Sequence, residues 1–231
     1  INNLLYGENS HQKAAFYIDM DTKGAMKDFK QLNGKELSFN NIRDMDFAWK
    51  VVSEFEDIAC CGVKHSIPCG FAIGNSITDA YKKMFASDPV SIFGGIVAFN
   101  KAVTIEVAKV LIETFLEIII APSFSKEALS LLTTKKNLRI IEVKYKPQNA
   151  YEYITVDGGL LVQEVDNKLI ENEKIVTSKQ PSKEELIDLK IAFALVKYVK
   201  SNAIVIVKDM ATLAISGGYT NRILATQNAL K

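Results

Sequence analysis

Cysteine and histidine are scarce in this chain. Of its 231 residues, three are cysteine and two are histidine. Cys60, Cys61 and Cys69 crowd into one short stretch. No regular disulfide framework can be built from them, and the pattern suits free thiols in a reducing cytosol. An excess of one charge is also missing: 28 basic residues stand against 27 acidic ones, for a net charge of +1. The molecule as a whole therefore offers no pull toward nucleic acid or an acidic membrane, although a local anion site remains open. Long apolar runs are absent too. The longest, Val110 to Pro122, is interrupted by Glu113 and Glu117, which excludes a membrane-crossing helix. The opening residues carry no signal-peptide pattern, and no short-period repeat or low-complexity tract is visible. The chain opens on Ile1 rather than Met, so we expect a fragment or a processed product.

What is present reads as an ordinary globular chain. Hydrophobic residues make up 48% and charged residues 24%, enough for a large core in one domain, or in one domain and part of another. The middle alternates strand-like and helix-like segments. Ile58 to Val63 is a short apolar run read as a buried strand, followed by a loop carrying Pro68, Gly70 and Gly74. Ser76 and Asp79 form a capping signal for a helix reaching about Ala86. Strands are expected over Ile92–Phe99, Glu117–Ala121 and Leu138–Val143, and helices over Thr104–Phe115 and Lys126–Thr133. This order predicts an α/β fold, helices packed on both faces of a central sheet. Tyr145 to Gly159 reads as a linker. Ser182 and Glu185 open a further helix, Ala203–Lys208 is a strand, Leu213–Gly218 ends in a Gly-Gly turn, and a last helix starts near Asn221. We divide the chain into a first unit, 1–150, a connecting segment and helix, 151–200, and the start of a second, incomplete unit, 201–231.

Few residues can carry chemistry. His65 follows Lys64 at the carboxyl end of a predicted strand, an edge where open α/β sheets bind ligands. The pair could supply a base near neutrality and a cation for a developing oxyanion. A His satisfied by backbone beside a solvated Lys is the plainer alternative. Pro68-Cys69 invites a zinc reading, because zinc deaminases carry a Pro-Cys-x-x-Cys and a His-x-Glu segment. Neither is complete here, so no metal is expected. Gly94-Gly95 could admit a ligand to the backbone or could mark a strand bend. Gly217-Gly218 with Arg222 is a weak anion signal that matches no phosphate loop.

Taken in order, the motifs become specific. They are Tyr6-Gly7-Glu8-Asn9-Ser10-His11-Gln12, Leu32 through Asn41, Val63-Lys64-His65-Ser66-Ile67-Pro68-Cys69-Gly70, and Asp88-Pro89 with Ser91 through Asn100. Ile118 through Ser123, Gly158 through Gln163 and Lys200-Ser201-Asn202-Ala203 complete the series. The series resembles the AICAR transformylase half of the bifunctional purine-biosynthesis proteins. That resemblance implies a three-layer α/β/α sandwich like that of cytidine deaminases, without their zinc. It implies formyl transfer from 10-formyltetrahydrofolate, as co-substrate, to the amine of 5-aminoimidazole-4-carboxamide ribonucleotide (AICAR). It makes His65 the proton carrier and Lys64 the transition-state stabiliser. It puts substrate contacts at Tyr6, Gly94, Glu117, Asn202 and Arg222, and a folate contact at Ile223. It also implies a cytoplasmic homodimer with sites at the subunit interface.

The sequence departs from the family at several points. Leu5 stands where an Arg usually helps hold the nucleotide phosphate, and Leu offers no charged clamp. Tyr219 replaces a Gln, Ile67 an Asn and Ser10 a Pro. The family's closing third and its cyclohydrolase domain do not appear. A truncated or degenerate, non-catalytic relative that folds and binds purine nucleotide weakly or not at all is therefore the second reading.

Overall fold

A computed structural model describes residues 2–20, 24–168 and 170–231. A short antiparallel pair, β1 (Asn2–Leu4) and β2 (Ala14–Phe16), opens the chain, and β3 (Lys30–Asn33) leads into α1 (Phe39–Ser53). β4 (Ala59–Lys64) turns straight back as β5 (Ile67–Ile73), followed by α2 (Ile77–Ser87). β6 (Ile96–Phe99), α3 (Ile105–Leu111), β7 (Ile118–Ala121), α4 (Lys126–Leu132) and β8 (Arg139–Glu142) then alternate. A hairpin of β9 (Tyr151–Val156) and β10 (Gly159–Glu164) comes next, and α5 (Lys183–Val196), β11 (Ile204–Lys208), β12 (Ala211–Ser216) and α6 (Arg222–Ala229) close the chain.

Eight strands share one sheet in the order β11-β12-β5-β4-β6-β7-β8-β3. β6, β7 and β8 are parallel and the other neighbours antiparallel, so the sheet is mixed. Every residue of β6 and β7 is apolar and buried, as expected of strands covered on both faces. On one face, Met45, Trp49 and Val52 of α1 and Ile191 and Leu195 of α5 pack on Cys61, Val63, Phe71, Ile118 and Ile120. On the other, Tyr81 and Met84 of α2, Leu111 of α3 and Leu132 of α4 pack on Cys60, Val97, Phe99, Ile119 and Ile140. The expected sheet flanked by helices is present. All three cysteines are free, and strand alternation sends Cys60 and Cys61 into opposite cores.

Several segments differ from their sequence reading: the strand expected over Ile92–Phe99 begins only at Ile96, after a turn, and the helix expected over Thr104–Phe115 ends at Leu111. The expected loop carrying Pro68, Gly70 and Gly74 is, up to Ile73, strand β5. Pro68, which has no N–H to give a ladder, sits where the β4–β5 register shifts, a position that tolerates proline. Gly70 is there for close approach, because a Cβ would lie 2.4 Å from the Met84 carbonyl oxygen. The expected linker at 145–159 folds into β9 and the start of β10. Its Asp157-Gly158 turn has Gly158 at φ +71°, the left-handed geometry that short hairpins use.

The run α5–β11–β12–α6 repeats the plan of α1–β4–β5–α2. Both begin at a serine N-cap with a reciprocal capping box, Ser38 with Asn41 and Ser182 with Glu185. Both continue through two antiparallel strands joined by two residues of positive φ, His65-Ser66 and Asp209-Met210. Residues 201–231, expected to open a further unit, lay β11 and β12 beside β5 in the same sheet through the pairing Ala211↔Ala72. Among the described residues no helix is long and apolar enough to cross a membrane.

Candidate active site

Strand direction fixes where the candidate residues gather. β4 ends at Lys64 opposite the start of β6, since Val63 pairs with Ile96. The parallel strands β7 and β8 start at that same edge, just after Glu117 and at Arg139. β5 begins there, and β12, antiparallel to it, runs from Ala211 back toward it. The chain before α1 arrives there as well, because β3 is antiparallel to β8. Tyr6, Lys64, His65, Gly94, Glu117, Asn202, Arg222 and Ile223 thus share one sheet edge. His65 follows the carboxyl end of β4, as expected; because β4 runs against β6, β7 and β8, this same edge is the amino end of the parallel strands.

Contacts join the first five residues. The Lys64 ammonium donates to the Phe93 carbonyl at 2.7 Å. The next residue, Gly94, has φ +67° and donates its N–H to the Phe115 carbonyl at 2.8 Å. The Glu117 N–H reaches the Gly95 carbonyl at 2.9 Å. The Glu117 carboxylate accepts from Asn41 Nδ2 at 3.3 Å and lies 3.9 Å from Arg139 Nη1. The Tyr6 carbonyl accepts from the N–H of Phe39, the first residue of α1, at 3.2 Å. α1 is therefore the hub: its amino end holds Tyr6, Asn41 holds Glu117, and Asp44 one turn later holds the turn that carries His65.

That turn is strained. His65 and Ser66 have φ of 56° and 55°, and each non-glycine residue held left-handed costs about 1–2 kcal/mol. Asp44 offsets this, accepting from the His65 N–H at 3.2 Å and from the Ser66 hydroxyl at 2.7 Å. Hydrogen bonds to a charged group contribute about 1.5–3 kcal/mol each, enough to hold the turn. Cys69 lies on β5 beyond the turn. Burial foremost, with the nearby Asp88 carboxylate, pushes its thiol up to about 12, against smaller opposing pulls from its own backbone and Lys64.

Asn202, Arg222 and Ile223 form a second group. Asn202 and Tyr219 close β11 and β12 with backbone bonds, and Asn202 Nδ2 also donates to the Tyr219 carbonyl at 3.0 Å. Arg222 and Ile223 follow the N-cap Asn221 and lie exposed on the first turn of α6. β12, which leads to this group, pairs with β5 through Ala211↔Ala72, at the opposite end of these strands. Two concavities, of about 400 and 310 Å³, lie elsewhere, beside the β9–β10 hairpin and beside β2 and α1.

Sequence reasoning missed Asn41, Asp44 and Arg139 as parts of this site. A signal existed for two of them. Asn41 and Asp44 lie three residues apart on the face that carries Met45 and Ala48, and polar side chains on an apolar helix face are informative. Among the described residues no group of three or more His, Cys, Asp or Glu is placed to hold a metal ion.

These features define an α/β protein with a Lys-His turn, a helix-braced loop and a glutamate at one sheet edge. All residues, 1–231, match the model of the AICARFT/IMPCHase bienzyme family, and the chain belongs to that family. It is 62% identical over 228 residues to the bifunctional purine biosynthesis protein PurH of Fusobacterium nucleatum, covering 99% of this chain and 45% of the relative. It is 56% identical over 228 residues to PurH of Petrotoga mobilis and 55% identical over 227 residues to PurH of Clostridium botulinum, covering 45% and 46% of those relatives. The chain spans about half the length of these curated relatives.

Proposed function

We propose that this protein serves de novo purine biosynthesis by transferring a formyl group from 10-formyltetrahydrofolate to the exocyclic amine of AICAR. The observation that carries the reading is the Lys64–His65 turn, braced from α1, at the same edge as Gly94 and Glu117. The amine attacks the formyl carbon, a new C–N bond forms, and the bond from that carbon to N10 of the folate breaks. The amine loses a proton, and N10 gains one as it leaves. His65 shuttles that proton, for which an imidazole is suited near neutral pH. Lys64, its ammonium fixed on a carbonyl, stabilises the oxyanion that develops on the formyl oxygen.

Tyr6, Gly94, Glu117, Asn202 and Arg222 contact the nucleotide, and Ile223 contacts the folate. In this reading the sheet is a deaminase-like sandwich used without zinc, and the enzyme is a cytoplasmic homodimer with sites at the subunit interface. Leu5, 57% exposed beside Tyr6, favours a second reading in which phosphate binding is weakened and catalysis lost. The test follows tetrahydrofolate release by the protein as its gene encodes it, supplied with AICAR and 10-formyltetrahydrofolate. Turnover that disappears in His65→Ala while nucleotide affinity holds supports formyl transfer. Absent turnover in the wild type, or full turnover in His65→Ala, overturns it.

A further inference from the structure

Among the described residues, the buried polar side chains are Ser38, Asn41, Asp44, Thr212 and Ser216, and Asp44 alone bears a carboxylate. A buried carboxylate is unfavourable unless its oxygens are well hydrogen-bonded. Both oxygens of Asp44 are spent on one feature. Oδ2 accepts from the backbone N–H of His65 and Oδ1 from the hydroxyl of Ser66, the two residues of the turn that need positive φ. The geometry points to Asp44 as a positioning residue. Through the turn backbone it fixes where the His65 imidazole stands relative to the Lys64 ammonium, and it does not touch the reacting atoms. The kinetic consequence rests on the proposed formyl transfer; the brace itself does not.

The repeated half of the fold supplies a matched comparison. Asp188 of α5 accepts from Asp209 N–H at 3.0 Å and from Met210 N–H at 2.7 Å, bracing the second turn, whose φ values are 53° and 60°. The chain separations are the same in both halves, 21 and 22 residues. The second turn carries Asp209 and Met210 where the first carries His65 and Ser66, and it holds no histidine. The brace is thus a property of the scaffold, and only one copy of it is loaded with a base. Asp188→Asn removes an equivalent support from a turn outside the candidate site.

The experiment compares Asp44→Asn and Asp188→Asn in the protein as its gene encodes it. Asn keeps the shape of Asp, but its amide nitrogen cannot accept a hydrogen bond. Expected for Asp44→Asn is faster amide hydrogen exchange at His65 and a kcat lowered roughly 10- to 100-fold, the scale of a displacement near 1 Å, with KM for AICAR unchanged. Adding Ser66→Gly, whose glycine adopts positive φ freely, restores part of kcat without restoring the carboxylate. Asp188→Asn quickens exchange at Asp209 and leaves kcat unchanged.

Unaltered exchange at His65 in Asp44→Asn overturns the brace whatever the activity. Faster exchange with unchanged kcat overturns the kinetic role. Failure of Ser66→Gly to restore kcat overturns action through the turn in favour of direct electrostatics. If the wild type shows no formyl transfer, the proposed function and the kinetic role both fall, and the exchange data alone decide the brace.

Discussion

At the scale of single residues, the edge is set by groups whose surroundings hold them in one chemical state. Cys69 illustrates this, and its consequence can be measured. Burial raises its thiol from 9.0 to about 12, and burial likewise raises Cys60 and Cys61. The folded protein then keeps protons that the unfolded chain has released. Where the unfolded state binds fewer protons, stability falls as pH rises. The contribution of Cys69 is complete below about pH 9 and is lost progressively toward about pH 12. Urea unfolding midpoints should decline across that window, and Cys69→Ala should make the decline shallower. An identical slope in Cys69→Ala would show that the thiol ionises equally in both states. Tyr198 adds to the same trend, because burial and then the Glu54 carboxylate hold its hydroxyl well above the usual tyrosine range. Below pH 8 all these groups are silent, so an activity profile there reports on others.

At the scale of elements, α1 does more than cover the sheet. Ser38 caps it by accepting from the Asn41 N–H at 3.3 Å, while Asn41 Oδ1 accepts from the Ser38 N–H at 3.0 Å. The Nδ2 of that same Asn41 side chain holds Glu117. Ser38→Ala should cost about 1 kcal/mol of stability, the usual value of an N-cap, and should raise KM for AICAR while leaving kcat nearly unchanged. A KM equal to the wild type's would separate the cap from the Glu117 contact. The cap of α5 was legible as Ser182–Glu185, since Glu at that place is a familiar partner. The cap of α1 was not, because Asn41 plays the role of Glu. Strands β4, β6, β7 and β8 were legible because two covered faces impose unbroken apolar runs. β5 was hidden by Pro68, Gly70 and Gly74, which read as loop punctuation until β4 and α2 are placed against them. The Lys64–His65 pair was visible in sequence, but Asp44 is 21 residues away from His65, and only the packing of α1 on the sheet brings them together.

At the scale of the whole molecule, the apolar surface left uncovered is as informative as the core. Among the described residues, β9 and β10 pair with each other and with no strand of the main sheet. Tyr153, Ile154, Leu161 and Val162 are 63%, 55%, 58% and 54% exposed, so both faces of the hairpin present apolar side chains. A two-stranded hairpin alone is marginal in water, and a contiguous apolar patch of this kind marks a contact surface. On the proposed homodimer a second copy covers it. Sedimentation equilibrium of the protein as its gene encodes it, at micromolar concentration, should then give a species of twice its own monomer mass. Tyr153→Glu together with Leu161→Glu places one charge on each face of the hairpin and should shift the equilibrium toward monomer. The main sheet is built without these strands, so unfolding of the monomer should stay cooperative. A wild-type chain that sediments as a monomer removes the second copy as the cover. A variant that stays dimeric places the interface away from the hairpin, on another exposed apolar surface such as Ile187, Leu189 and Phe193 of α5.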